Sequence, residues 1–478
     1  VSIGANVLAG LLGGPPWTQP RYRDLADRIA RLIADGRIAA GTRLPSERDL
    51  AAATDLSRTT IGAAYTTLTE RDLLRPRRGA GHFVTERPAP TMSPLLPAAG
   101  PDADGRIGLT AAADAALPHV GAAYARALDR LPELTGGSGY FPDGLPELRA
   151  ALAERYAARG LPTDPRQLLI TTGALSALAI VARTLAGPRR ALITESVGFG
   201  NTLHLLHDVA RRSGGRVRSF DTSPAGWNLD SLAAALAETR PAAVFVIADF
   251  HNPTGRQMDD TTRAGLAARA RRAGVPVVAD ETLAELALPW AAPALPVAAH
   301  DPSAILVGSA SKTYWGGLRL GWIRAPHAMI EPLLRARTLA DHGAAVEQLV
   351  LAELLADPTA NPAARERLHR QAVTAMDLVR EHLPEFAFRR PDGGQSLWLE
   401  LPSASSTRLT RRAAEHGVLL TPGPHFFCNP GGERWLRLPF AAPEDAFAEA
   451  VRRIARAWQE LDRPDAPTRH EGFGPLSA

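Results

Sequence analysis

The chain has 478 residues, 45% hydrophobic and 22% charged, a balance that can bury an extensive core and that excludes a disordered polymer. Its single cysteine, Cys428, excludes an internal disulfide, which fits a reducing cytoplasm, and no uncharged apolar run approaches membrane-spanning length. The net charge of +4 sits in residues 1–84, where 12 arginines meet 8 acidic residues, while the remainder balances at 42 of each sign. A nucleic-acid footprint is therefore expected only there.

The apolar start, Ile3 to Leu12, lacks a basic leader and reads as a packing extension rather than a signal peptide. Tyr22, Leu25, Ile29, Leu32 and Ile33 then recur at helical spacing up to Gly36, a C-cap residue. Ser46, with Asp49 three residues on, caps a short helix through Ala53. After the turn Thr54–Leu56, Ser57 caps a second helix with Ile61, Ala64, Tyr65 and Leu68 on its inner face. Helix, short turn, capped helix is the helix-turn-helix pattern. Arg58, Thr59 and Thr60 fall on the turn that would enter the major groove, where arginine can read guanine and threonine can meet phosphate or a thymine methyl. The basic, glycine-containing segment Leu73–Val84 reads as a wing, with Arg77, Arg78 and His82 aimed at phosphates or the minor groove. A small helical bundle with a solvated arginine face would carry the same pattern. Residues 43–84 closely resemble the winged helix-turn-helix of the GntR family. That resemblance implies DNA contacts at Arg48, Arg58, Thr59, Thr60, Gly81 and His82; otherwise Arg48 is a surface partner of Asp49 or Asp72.

Residues 85–106 carry five prolines and read as an extended spacer, able to span up to roughly 60 Å at about 3.1 Å per residue. From residue 107 onward, apolar strands alternate with amphipathic helices. Strands are expected at Gln167–Thr172, Ala191–Glu195, Ala243–Asp249, Val275–Asp280, Ile305–Ser309 and Arg319–Arg324, forming an α/β sheet covered on both faces. Ligands in such sheets bind beyond the strand C-termini, where the polar clusters fall.

One residue stands out there. Of the 54 basic residues only Lys312 is a lysine. Genomic drift toward arginine explains the other 53, but arginine neither deprotonates at neutral pH nor forms a Schiff base. A retained amine needs an electrophile, and pyridoxal phosphate is the commonest bound aldehyde. Its ring nitrogen, ring oxygen and phosphate would find partners in Asp280, Asn252 and a cradle of Gly173, Ala174, Ser309, Ser311 and Arg319, with Phe199 against the ring face. Taken singly, each has an ordinary structural explanation; together they are harder to dismiss.

Asn252–Gly255, Asp280, Ser309–Lys312 and Gly317–Gly321 resemble fold-type-I aminotransferases over about residues 107–461. The resemblance implies a large mixed-sheet domain with a small C-terminal α/β domain. It also implies Lys312 as the Schiff-base lysine, Tyr140 reaching the cofactor phosphate of a neighbouring subunit, and Arg437 clamping a carboxylate, where the alternative is an exposed strand-end arginine. Three departures stand out: Thr282 and Leu283 replace the tyrosine expected after Asp280, Ala174 replaces a glutamine, and no proline precedes Phe199.

Head (1–84), linker (85–106) and body (107–478) together resemble the MocR subfamily of regulators. Membership implies a cytoplasmic head-to-tail homodimer on a double-stranded operator, with pyridoxal phosphate or an amino or carboxylate effector sensed through an aldimine at Lys312. The alternative is a working aminotransferase with an accessory head. No metal-ligand cluster is evident in the sequence.

Overall fold

The computed structural model describes residues 2–461 apart from 16, 18, 35–37, 39, 40, 71, 72, 78, 79, 86–104, 224, 225 and 338–341. The expected cap Gly36, Asp72, the wing residue Arg78 and all five linker prolines lie outside the described residues.

The head comprises α1 (Ala5–Leu12), α2 (Arg21–Ala34), α3 (Glu47–Ala53), α4 (Arg58–Glu70) and the antiparallel pair β1 (Leu74–Arg77) and β2 (Gly81–Val84). Ser46 caps α3 by accepting from Asp49 N, and Ser57 accepts from Thr60 N at 3.2 Å. Each cap satisfies a backbone donor that the helix cannot. Leu25 and Ile29 of α2, Leu50 of α3, and Ile61, Tyr65 and Leu68 of α4 close one core, and Leu8 and Leu12 of α1 complete it. The apolar start is thus a packing helix, as expected.

The body holds two sheets. The larger runs β4 (Leu168–Thr171), β12 (Gly321–Arg324), β11 (Ile305–Ser309), β10 (Val277–Asp280), β9 (Pro241–Val246), β5 (Ala191–Glu195) and β6 (Arg216–Phe220). Only β12 runs against its neighbours. Beside it lies the short hairpin of β7 (Thr222–Ser223) and β8 (Gly226–Trp227). The large strands are buried on both faces because their side chains alternate between two cores. Leu168, Ile170, Ile193, Val277 and Leu306 enter one core, while Leu169, Leu192, Val278, Ile305 and Val307 enter the other. Each such side chain contributes about 1.5–3 kcal/mol of burial.

Strand ends shift from expectation for local reasons. β10 starts after Pro276, which has no N–H to donate. β12 starts after Arg319, whose left-handed φ of 50° takes it out of the strand. β9 stops at Val246, freeing the following residues to turn toward the site. The sequence reading does not anticipate β6, whose outward arginines dilute its apolar signal.

The smaller sheet runs β13 (Ala387–Phe388), β14 (Ser396–Glu400), β16 (Trp435–Pro439), β15 (Val418–Pro422) and β3 (Ile107–Leu109). The first strand after the linker is therefore an edge strand of the C-terminal lobe, parallel to β15.

A buried ion network braces the two lengths of chain that carry the site. Arg263, fully buried, donates to Asp249 at 2.7 Å and to the carbonyls of Met258, Ala248 and Leu295. Arg159 pairs with Glu281 at 3.1 Å and lies 3.8 Å from Asp249. The network ties Asp249, three residues before Asn252, to Glu281, next to Asp280.

Candidate cofactor site and nucleic-acid interface

A cavity of ≈ 250 Å³ opens at the C-terminal ends of β9, β10 and β11. It is lined by Lys312, Asp280, Asn252, Phe199, Gly173, Ala174, Ser309, Ser311, Arg319 and Arg437, residues that the sequence disperses over more than half its length. Tyr140 is not among them. It is 72% exposed and does not join the cavity of its own chain.

Lys312 Nζ donates to the carbonyl of Ala112 at 2.5 Å. Burial, then the positive charges of Arg437 and Arg319, bring its pKa down to about 8 despite Asp114 nearby. An amine so tuned is neutral for a useful fraction of the time near physiological pH. Asp280 is buried and accepts from Thr282 N at 2.9 Å; burial raises its pKa, and among the described residues no basic side chain pairs with it. A buried carboxyl without a cation is what a protonated pyridine nitrogen would complete.

The expected anion cradle is mostly main chain. Gly173, with φ +117°, turns the chain from β4 into the helix Ala174–Leu185, whose first N–H groups have no intrahelical acceptor. Gly321 lets β12 pass close behind, since a Cβ there would stand 2.5 Å from Gly173 C. Arg319 Nη2 lies 3.5 Å from Thr172 O, on the rim. Ser309 lines the cavity and also bonds its own loop. Its Oγ accepts from Ser311 N at 3.2 Å and donates to Leu320 O at 3.3 Å, so it shapes the loop that offers Ser311.

Arg437 is 4% exposed, which corrects the alternative of an exposed strand-end arginine. It donates to Thr110 O at 2.5 Å and to Asn252 Oδ1 at 3.4 Å, and lies 4.7 Å from the Phe426 ring centroid. Burial lowers its pKa to about 10, and among the described residues its Nε has no partner. Thr421 Oγ1, Thr110 Oγ1 and Gln395 Oε1 are likewise buried and unsatisfied around it. Such a concentration of unmet polar atoms marks a place built for a polar ligand. No tyrosine lines the cavity among the described residues; Thr282 and Leu283 occupy that wall.

Sequence reasoning missed the backbone of 110–112, Thr421, Gln395 and His425. The last lines the cavity with a pKa lowered to about 4 by burial, then by His204 and Arg437, and so is neutral. None sits in a recognisable motif. Their roles follow from chain crossings that no local spacing reveals.

In the head, Arg48, Arg58 and Thr59 are exposed, Thr60 is half-buried, and no ion pair holds Arg48 among the described residues. The Thr59 and Thr60 hydroxyls lie 2.8 and 2.9 Å from Ser57 Oγ, so both belong partly to the cap. Gly81 has φ +94° opposite Arg77 in the wing. The half-buried His82 packs its ring 5.1 Å from Tyr65, which ties the wing to α4.

Comparison with known proteins follows this division. Residues 119–454 match the family "Aminotransferase class I and II", and residues 21–84 match "Bacterial regulatory proteins, gntR family". The chain belongs to the class I and II aminotransferase family and carries a gntR-family head, the architecture of MocR-type regulators. TauR of Rhodobacter capsulatus is 29% identical over 93% of this chain and 97% of its own. The probable rhizopine catabolism regulatory protein MocR of Rhizobium meliloti is 27% identical over 86% and 88%. The 2-aminoadipate transaminase of Thermus thermophilus is 33% identical over 67% of this chain and 81% of its own. A crystal structure of the Thermus α-aminoadipate aminotransferase LysN, complexed with N-(5′-phosphopyridoxyl)-L-leucine, superposes with a TM-score of 0.66 at 30% identity, covering 74% of this chain and 92% of that one. The gntR-headed chain is thus a DNA-binding protein with an aminotransferase body. Among its described residues, no helix is long and apolar enough to cross a membrane and no group of metal ligands assembles.

Proposed function

We propose that this chain is a pyridoxal-phosphate-binding transcriptional regulator. Residues 1–84 read a double-stranded operator, 85–106 connect, and 107–478 bind the cofactor, sense an amino or carboxylate effector and dimerise. The observation that carries the reading is that one chain holds both an exposed recognition turn at Arg58 and a half-buried, cavity-facing amine at Lys312.

When bound, pyridoxal phosphate supplies an aldehyde that condenses with primary amines. Lys312 is the amine offered by the protein. Asp280 holds the pyridinium proton, Asn252 donates to the ring oxygen and Phe199 covers a ring face. Gly173, Ala174, Ser309, Ser311 and Arg319 would hold the phosphate. Arg437 clamps a carboxylate, releasing Thr110 as it does so. Arg48, Arg58, Thr59, Thr60 and the wing at Gly81 and His82 contact DNA. A protein that reads chromosomal operators works in the cytoplasm.

A homodimer is supported by Leu128, Trp315 and Tyr140, large side chains that remain exposed on the single chain, and its subunits are proposed to lie head to tail. Tyr140 then reaches the partner's phosphate site. An effector shifts operator binding only if it favours one arrangement of the lobes over another.

The second reading is a working aminotransferase whose head is accessory. It is favoured by the nearly complete site and opposed by the missing tyrosine beside Thr282. A mobility-shift titration of cofactor-loaded protein against DNA upstream of its own and neighbouring genes separates the two. Specific retention that changes on cofactor removal supports the regulator. Absence of specific retention in both states, over a range of salt, together with multiple-turnover transamination, supports the enzyme.

A further inference from the structure

Asp114 lies on the segment that carries Thr110 and Ala112, yet it is not among the residues that line the cofactor cavity. Its side chain is only 10% exposed, and both carboxyl oxygens accept hydrogen bonds. Gln371 Nε2 donates to Oδ1 and Gln395 Nε2 to Oδ2, each at 2.8 Å. Arg367 Nη2 stands 3.7 Å from Oδ2, and Arg367 Nη1 donates to Ala115 O at 2.9 Å. Gln371 and Arg367 come from the helix Ala360–His382, and Gln395 directly precedes β14. One carboxyl thus ties the chain leaving β3 to two other elements.

Hydrogen bonding alone does not explain a carboxylate here. Keeping a charge so enclosed is costly, and a neutral asparagine could make comparable bonds. Burial pushes the Asp114 pKa up, while Gln371, Arg367, Gln395 and Lys312 pull it down. Lys312 Nζ bonds the carbonyl of Ala112, two residues before Asp114. The other charges acting on that amine, Arg437 and Arg319, are both positive, and Asp114 opposes them. The cavity's remaining titratable groups are Asp280, whose pKa burial raises, His425, held neutral, and His251, bonded to Thr254 Oγ1 and Val197 O.

On the assignment of Lys312 as the reactive amine, we propose that Asp114 is a positioning residue of the cofactor site. It fixes the segment whose carbonyls hold Lys312 and Arg437, and its carboxylate is the counter-charge of the lysine. Its two hydrogen bonds use neither cation. The segment therefore stays anchored when ligands take Lys312 and Arg437.

The test is competitive acetylation of the full chain before cofactor loading, with acetic anhydride from about pH 6 to pH 10 and the Lys312 peptide read by mass spectrometry. Lys312 is the only lysine. The reagent is not the cofactor, so the outcome is separate from whether the chain binds pyridoxal phosphate or regulates transcription. The unaltered chain should label with a midpoint at pH about 8. A negative neighbour stabilises the ammonium form, so Asp114→Asn should bring the midpoint down by about one unit and speed labelling at pH 7 about fivefold. Asp114→Glu should restore it. Gln371 Oε1 and Gln395 Oε1 are both buried without partners among the described residues, so either carboxamide can turn over to accept from an asparagine at 114. Asp114→Ala should in addition quicken hydrogen–deuterium exchange across residues 107–115. If Asp114→Asn does not fold, Asp114→Ala is read for the midpoint too. A midpoint unmoved without the carboxylate, one that falls as far in Asp114→Glu, or unchanged exchange in Asp114→Ala overturns the proposal.

Discussion

Lys312 reaches back 200 residues to donate from Nζ to the main-chain carbonyl of Ala112, at 2.5 Å. Two residues earlier on the same segment, Thr110 O accepts from Arg437. Lys312 and Arg437 are thus both held by the chain that leaves β3, the first strand after the linker. A ligand that takes either cation removes a donor from this segment, leaving a backbone carbonyl to be satisfied elsewhere.

The first prediction concerns the amine itself. Lys312→Ala protein mixed with pyridoxal phosphate is expected to lack the visible absorption band that the unaltered chain acquires. No other lysine exists to replace it, and Lys312→Arg should fail equally, because arginine stays protonated. A band that persists in the alanine variant would refute the assignment.

The second follows from the pKa of about 8 at Lys312. The folded-state value lies below that of an ordinary lysine, so the reactive neutral amine appears as pH rises through 8. Roughly a tenth of it is neutral at pH 7 and half at pH 8. Stopped-flow capture of pyridoxal phosphate should accelerate about fivefold between those values and level off above pH 9. An amine with an ordinary pKa of about 10.4 would still gain about sevenfold between pH 9 and pH 10, which would sink this reading.

Arg437 carries the third. Arg437→Lys keeps a charge but loses the planar fork. Carboxylate ligands should bind about 10–100-fold more weakly, the equivalent of about 1.5–3 kcal/mol for a charged hydrogen bond, while cofactor loading is retained. Equal loss of cofactor and carboxylate, measured by absorbance titration, would mean that Arg437 only props up the site.

These predictions draw unevenly on the sequence. The strand-end acid, the lone lysine and the capped helices of the head were legible because each is a local signal, a residue type at the end of a periodic run. The partners of Lys312 and Arg437 were not. Ala112 and Thr110 act through backbone carbonyls, and a carbonyl leaves no trace in residue identity. Ser309 was legible as a site residue, but not as one whose hydroxyl is committed to Leu320. The stacked tryptophans 398 and 435 sit 37 positions apart, and only the antiparallel pairing of β14 with β16 makes them neighbours.

The buried network gives the fourth prediction. Arg263 is fully buried and Asp249 is its ion-pair partner. Removing one member of such a pair leaves an uncompensated charge, at about 3–5 kcal/mol. Asp249→Ala should lose stability of that order in urea titration, with the body's transition moving and the head's unchanged. A loss under about 1 kcal/mol would show that the carbonyls of Ala248, Met258 and Leu295 satisfy the guanidinium alone.

The fifth separates reading from positioning in the head. Arg58 begins α4, the helix expected in the major groove, and is exposed. Arg58→Ala should cost about 1–3 kcal/mol of operator affinity and relax base preference at one position, because a base-edge contact carries sequence information. Arg77 lies in the wing with its guanidinium 4.6 Å from the Phe83 ring centroid, which holds it on the face of the hairpin. Arg77→Ala should instead weaken binding to all sequences alike and lower the dependence of log K on log salt by about one, the signature of a lost phosphate contact. Fluorescence anisotropy on operator and scrambled duplexes at several salt concentrations distinguishes the two. If both variants reduce the salt slope and neither changes base preference, the recognition turn grips only the backbone, and specificity must come from DNA shape or from the spacing of two half-sites.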